Sequence, residues 1–163
     1  MKLAGEIIAY VVFALVVGAL SVWPRYELIT QEQAIISIAF VHAGERVGEC
    51  RKLTKEELNA LPPNMRKPTE CPRERHPLRV ELRSGTDMLY SDVLLPSGLW
   101  SDGKSNVYQR IVVAAGRHDL FVGMNDRGGE QGFNYEQSVT LDLSSGRNVV
   151  IRFDEKQHRF DIR

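Results

Sequence analysis

The sequence has no surplus of charge of either sign, since its 21 lysines and arginines are matched by 21 aspartates and glutamates. Proteins that bind nucleic acid need a basic surplus to contact phosphates, so we expect no nucleic-acid partner. The sequence also has no His-Glu-x-x-His metal motif and no Gly-x-Ser-x-Gly nucleophile turn. We therefore expect a protein that is not an enzyme and that uses no cofactor or metal.

Cysteine is scarce, and the chain has only Cys50 and Cys71. Their spacing is far wider than the Cys-x-x-Cys pattern of zinc and redox sites. An even pair in an exported domain is typical of a disulfide, which would close a loop of about 22 residues and stabilise the fold by roughly 3–4 kcal/mol. The sequence predicts this disulfide, and the alternatives are free thiols or metal ligands.

Charge is missing altogether from Ile7 to Trp23. About 20 helical residues cross the ~30 Å hydrocarbon layer of a bilayer, so residues 1–24 are predicted to form one transmembrane anchor helix. Trp23 suits the membrane interface, and Pro24 is expected to end the helix. A cleaved signal peptide is the alternative, but the apolar run is long and the residues around Trp23 make a poor cleavage site.

One side of this predicted helix differs from the rest. On a helical projection a narrow sector collects small and polar side chains, and Ala14 and Gly18 form a small-xxx-small pair that permits close helix packing. We predict contacts with other membrane helices through Glu6, Tyr10, Ala14, Val17, Gly18 and Ser21. The alternative is that Glu6 lies among lipid headgroups and that the helix is only an anchor.

Alternation of apolar and polar residues dominates the rest of the chain. Residues 25–34 are predicted to be a linker, and residues 35–163 an exported domain. Period-two patterns such as Leu78, Val80 and Leu82, separated by glycine-bearing turns, predict seven or eight short strands. The predicted fold class is mainly β: an antiparallel β-sandwich, immunoglobulin-like or similar, preceded by one transmembrane helix.

An insertion over residues 44–77 interrupts this pattern, and we expect no strand between Cys50 and Pro77. Thr54 and Glu57 fit a capping box, which predicts a short helix from Lys55 to Leu61. Five of the seven prolines lie from Pro62 to Pro77, so the return path is expected to be extended and irregular.

Two segments have the composition of a protein-binding surface. The loop from Pro96 to Asn106 carries large apolar residues among glycines and polar residues, and the insertion is rich in arginine. Aromatic and arginine side chains are enriched at binding hot spots. The predicted docking residues are Leu99, Trp100, Arg51, Arg66, Arg73 and Arg75. The alternative for Trp100 is that it folds back to cover the end of the core.

The plan of one N-terminal helix and an exported β domain resembles that of several respiratory-oxidase assembly factors. The resemblance is one of architecture; no shared motif such as a copper-binding Cys-x-Cys is present, so it transfers no residues. We expect an accessory or assembly subunit of a larger membrane complex, such as a respiratory one. Its expected partners are other membrane-protein subunits and the lipid bilayer.

The expected location is the bacterial inner membrane, with a single span and the C-terminal domain in the periplasm. The alternative function is a tethered periplasmic module that binds a small ligand or a metal. The four histidines are dispersed along the chain, which argues against a metal site.

Overall fold

The structure, a computed structural model, describes residues 2–23, 32–129 and 132–163. It is mainly β, with 47% strand, and it has one N-terminal apolar helix. The chain divides into two compact units, Met1–Thr30 and Gln31–Arg163. Most of the predicted linker, residues 25–31, lies outside the described residues.

Helix α1 covers Lys2–Val22 and has no buried side chain among those described. Its 20 residues from Leu3 to Val22 have a mean hydropathy of 2.3. At 1.5 Å per residue they are long enough to cross a bilayer. The backbone N–H of Trp23 still donates to the carbonyl of Ala19, at 3.0 Å, although the helix itself ends at Val22.

The described residues of the second unit form ten strands and one short helix. The strands are β1 Gln33–His42, β2 Arg51–Lys52, β3 Thr69–Glu70, β4 Leu78–Ser84, β5 Asp87–Leu94, β6 Ser105–Ala114, β7 Gly116–Asn125, β8 Tyr135–Leu143, β9 Asn148–Asp154 and β10 Arg159–Ile162. Helix α2 covers Lys55–Ala60, and a 3-10 turn follows at Pro63–Met65. The eight longer strands coincide with the alternating segments of the sequence.

Two four-stranded sheets carry these longer strands, in the orders β10-β9-β1-β6 and β5-β4-β7-β8. Neighbouring strands are antiparallel with one exception, since β1 and β9 run parallel, with Ile36 opposite Val149. This pair departs from the predicted antiparallel arrangement, which the other neighbouring strands of the two sheets follow. Alternation indicates which residues face inward, but it carries no information about strand direction.

One hydrophobic core is shared by both sheets. Ile36 and Ile38 of β1 and Val80 and Leu82 of β4 are completely buried in it. Full burial of a side chain of this size contributes about 1.5–3 kcal/mol. The alternating apolar residues therefore provide the main stabilisation of the unit.

The insertion contains more regular structure than expected. Helix α2 begins with the predicted capping box, because Thr54 Oγ1 accepts from the Glu57 backbone N–H at 3.3 Å and Glu57 Oε2 accepts from that of Thr54 at 2.8 Å. The expectation of no strand is wrong, since β2 and β3 form a two-residue antiparallel pair. Strands this short and exposed leave no alternation to read.

Candidate docking surface

A disulfide joins Cys50 to Cys71, as the sequence predicts. The residues just inside it, Arg51 and Glu70, face each other in the β2–β3 pair. Arg51 also donates from Nη1 to Glu57 Oε1 at 2.6 Å and from Nη2 to Glu70 Oε2 at 2.8 Å. A covalent bond, a strand pair and the Arg51–Glu70 ion pair therefore connect the outgoing and returning halves of the insertion, and the Arg51–Glu57 ion pair ties α2 to the same place.

Backbone hydrogen bonds tie the base of the insertion to the rest of the second unit, Gln31–Arg163, which is called the β unit below. Glu45 N–H donates to the carbonyl of Asp126 at 2.8 Å, and His76 N–H donates to the carbonyl of Glu45 at 2.8 Å. A Cβ at Gly44 would collide with the carbonyl of His76, so this crossing requires glycine. The insertion therefore leaves the β unit along a fixed path.

Leu99 and Trp100 are the two central residues of a tight turn. Ser101 N–H donates to the carbonyl of Gly98 at 3.2 Å, and Gly98 has φ +92°, a left-handed conformation that favours glycine. Leu99 is 91% exposed and Trp100 is 67% exposed. The alternative in which Trp100 covers the core does not fit this exposure.

Arg75 connects this turn to the insertion. Its backbone N–H donates to the carbonyl of Ser101 at 2.9 Å, and its Nε donates to the carbonyl of Asp102 at 2.9 Å. Its Nη1 donates to the carbonyl of Gly44 at 2.9 Å. The two segments with binding-surface composition are therefore neighbours, although the sequence offered no reason to place them together.

A groove of about 880 Å³ lies along the insertion. Five cationic and three acidic side chains line it, and three of the cations, Arg51, Arg73 and Arg75, are predicted docking residues. Arg66 is not among the lining residues. Its Nε donates to the carbonyl of Leu61 at 3.0 Å, which stabilises the end of α2, and docking by Arg66 stays a prediction.

The predicted helix-contact residues all lie on α1. Every described side chain there is exposed, and a Cβ added at Gly18 would meet nothing within 4 Å. The Ser21 hydroxyl donates to the carbonyl of Val17 at 2.7 Å, so it bonds within its own helix. Contact between this stripe and another helix stays a prediction.

A buried polar pair was not singled out from the sequence. His42 Nε2 and Asp126 Oδ2 are 3.0 Å apart, and the residues are 8% and 3% exposed. His42 Nδ1 lies 3.8 Å from Glu155 Oε1, and Lys104 Nζ holds Glu155 at 2.9 Å. Because so little of the pair reaches solvent, it suits a structural link more than a reaction centre.

No group of three or more His, Cys, Asp or Glu side chains among the described residues is placed to hold a metal ion.

The His42 ring packs against two aromatic side chains. The ring centroids of Tyr135 and Phe153 lie 6.1 and 4.9 Å from the centroid of His42. Burial, and then the charge of Asp126, raise the pKa of the Tyr135 hydroxyl above its usual value.

The run from Gly98 to Ser105 has the spacing Gly-x-x-x-x-Gly-Lys-Ser, which is that of a phosphate-binding loop. Its surroundings are different. Such a loop opens a helix, whereas strand β6 begins at Ser105. The ammonium of Lys104 is paired with Glu155, and the Ser105 hydroxyl donates to the carbonyl of Leu94 at 3.1 Å. This match of spacing therefore carries no phosphate site.

The sequence matches no protein-family model and no curated protein. The assignment of a docking surface therefore depends on the exposed turn, the arginines and the groove.

Proposed function

We propose that the protein is a non-catalytic, single-pass subunit of a larger membrane complex, with an accessory or assembly role. Helix α1 anchors it in a bacterial inner membrane, and its β unit, an antiparallel-rich sandwich, lies in the periplasm. A disulfide in the β unit supports an oxidising compartment, and the length and hydropathy of α1 support a membrane span.

The observation that carries this proposal is the exposed pair Leu99–Trp100, at the tip of a turn that hydrogen bonds from Arg75 hold in place. The backbone of the turn is held by hydrogen bonds, and a tryptophan side chain has only two torsions to fix on binding, so little conformational entropy is lost when its large apolar area is buried. The anchor assists, because tethering in one membrane raises the effective concentration of partner and surface.

The test is the exchange Trp100→Ala in the full chain. The tagged protein is extracted from its native membranes in mild detergent, and the associated membrane proteins are quantified by mass spectrometry. We expect association to weaken by about 2 kcal/mol, or roughly 30-fold, with an unchanged melting temperature, because the side chain is exposed. Tyr108→Ala is the matched control, since Tyr108 is a 72% exposed aromatic on β6, outside the turn.

Equal association of the Trp100→Ala variant and the unmodified protein would contradict docking through this turn. Purification without any stoichiometric partner would contradict the subunit assignment. A small ligand or a metal bound in stoichiometric amount would favour the alternative of a tethered binding module.

A further inference from the structure

The groove along the insertion has an uneven charge distribution. Arg51 is balanced by Glu57 and Glu70, both of which it contacts directly. The other lining cations are Arg46, Lys67, Arg73 and Arg75, and Asp102 is the remaining lining acid. Asp102 is a loose partner, because its Oδ2 lies 3.8 Å from Arg73 Nε. Positive charge is therefore concentrated away from Arg51.

Two of these guanidinium groups are held in place by backbone carbonyls and have no ion pair among the described residues. Arg46 donates from Nη1 to the carbonyl of Pro72 at 2.8 Å. Arg75 donates to the carbonyls of Gly44 and Asp102. A backbone carbonyl orients a guanidinium without cancelling its charge. Both groups are therefore preorganised to bind a carboxylate.

The groove also has an apolar side. Leu53, Ala60, Leu61 and Met65 line it with the cations, and Met65 is 60% exposed. Methionine side chains adapt easily to different apolar partners. A ligand that fits the whole groove therefore combines carboxylates with apolar side chains.

We propose that the groove binds an acidic, partly apolar segment of a partner protein. This deepens the proposed function and rests on it, since the segment would belong to the partner that the Leu99–Trp100 turn contacts. Charge complementarity selects the occupant, because arginine forms its best-matched bonds with carboxylates. A concave, half-apolar groove also suits a peptide better than it suits the headgroups of a lipid surface.

The test uses the full chain in a neutral detergent and a library of short fluorescent peptides that mix glutamate and leucine. Matched peptides have glutamine in place of glutamate. Fluorescence anisotropy should show binding of acidic peptides that weakens as salt is added, and at least about tenfold weaker binding of the glutamine peptides. Absence of binding by every acidic peptide would overturn the proposal.

Substitutions locate the site. Arg46→Gln with Arg75→Gln should weaken acidic-peptide binding by about tenfold or more. Because Arg75 also braces the insertion, Arg46→Gln with Lys67→Gln provides a second variant that leaves Arg75 in place. The matched control removes two exposed arginines from strands outside the groove, Arg110→Gln with Arg159→Gln. An equal loss in this control would overturn the proposal by showing that only net charge matters.

Two further arms separate the outcomes. Vesicles of phosphatidylglycerol should bind the groove variants and the unmodified protein equally; a loss restricted to the groove variants, without peptide binding, would identify a lipid ligand and overturn the proposal. Trp100→Ala should leave peptide binding intact. If the partner still co-purifies while no peptide binds, the proposed function stands and the groove assignment fails.

Discussion

At the scale of single residues, the pair His42 and Asp126 links the end of β1 to the segment after β7. The two residues are 84 positions apart, and their side chains meet in a nearly solvent-free site. Asp126 also accepts, through its backbone carbonyl, the bond that starts the insertion at Glu45. The pair therefore fastens the base of the candidate docking surface to the β core.

We expect Asp126→Ala to lower the free energy of unfolding by about 3 kcal/mol, because it leaves the buried His42 ring without its partner. Asp126→Asn keeps a hydrogen-bonding group there and should cost less. Chemical denaturation of the full chain followed by circular dichroism measures both. Asp142→Ala, at an exposed position of β8, should change stability by less than about 0.5 kcal/mol. A loss no larger than this control would show that the pair is not a structural link.

At the scale of elements, helix α2 shows what local sequence determines. Its capping box joins residues three apart, so Thr54 and Glu57 predict the start of the helix without knowledge of the fold. The strands of the core are predictable for the same reason, since alternation is a local signal. Local sequence does not predict the parallel β1–β9 pair or the two-residue strands β2 and β3, because long-range packing selects them.

Glu57 makes this element sensitive to acid. The side-chain bond from Arg51, and then the Thr54 N–H, hold the pKa of Glu57 below its ordinary value. A lowered pKa means that the stabilisation is complete above the ordinary glutamate pKa of about 4.3 and is lost as the pH falls through the folded value. The cap should therefore hold at neutral pH and weaken in acid.

The titration of the Glu57 carboxyl carbon by nuclear magnetic resonance tests this. We expect a midpoint below that of an ordinary glutamate, and Arg51→Ala should raise it because the largest cause of the shift is removed. Arg152→Ala, on β9, serves as the control and should leave the midpoint unchanged. A midpoint that does not respond to Arg51→Ala would show that this ion pair is not formed in solution.

At the scale of the whole molecule, composition indicates which two segments form the candidate site but not that they lie side by side. The exposed Trp100 turn and the arginine-rich insertion are visible in the sequence as separate segments. Their contact through Arg75, which bonds to Asp102 27 residues away, follows from the folded path of the insertion. The bonds from the Arg66 side chain to the carbonyls of Leu61 and Asn59 at the end of α2 are likewise not visible in the composition of the insertion.

At this scale the proposed membrane helix α1 can bind either other helices or only lipid, and substitutions distinguish the two cases. Gly18→Leu and Ala14→Leu place bulk on the predicted stripe. Neither should disturb the helix itself, because leucine is a good helix former and the Cβ of residue 18 has open space around it. If α1 packs closely against a partner helix, the added side chains separate the two backbones and co-purification in detergent should be lost. Ala19→Leu makes a similar change on the opposite side of the helix and should preserve co-purification. Retention of the partner by all three variants would leave α1 as an anchor, and the affinity would then have to come from the β unit.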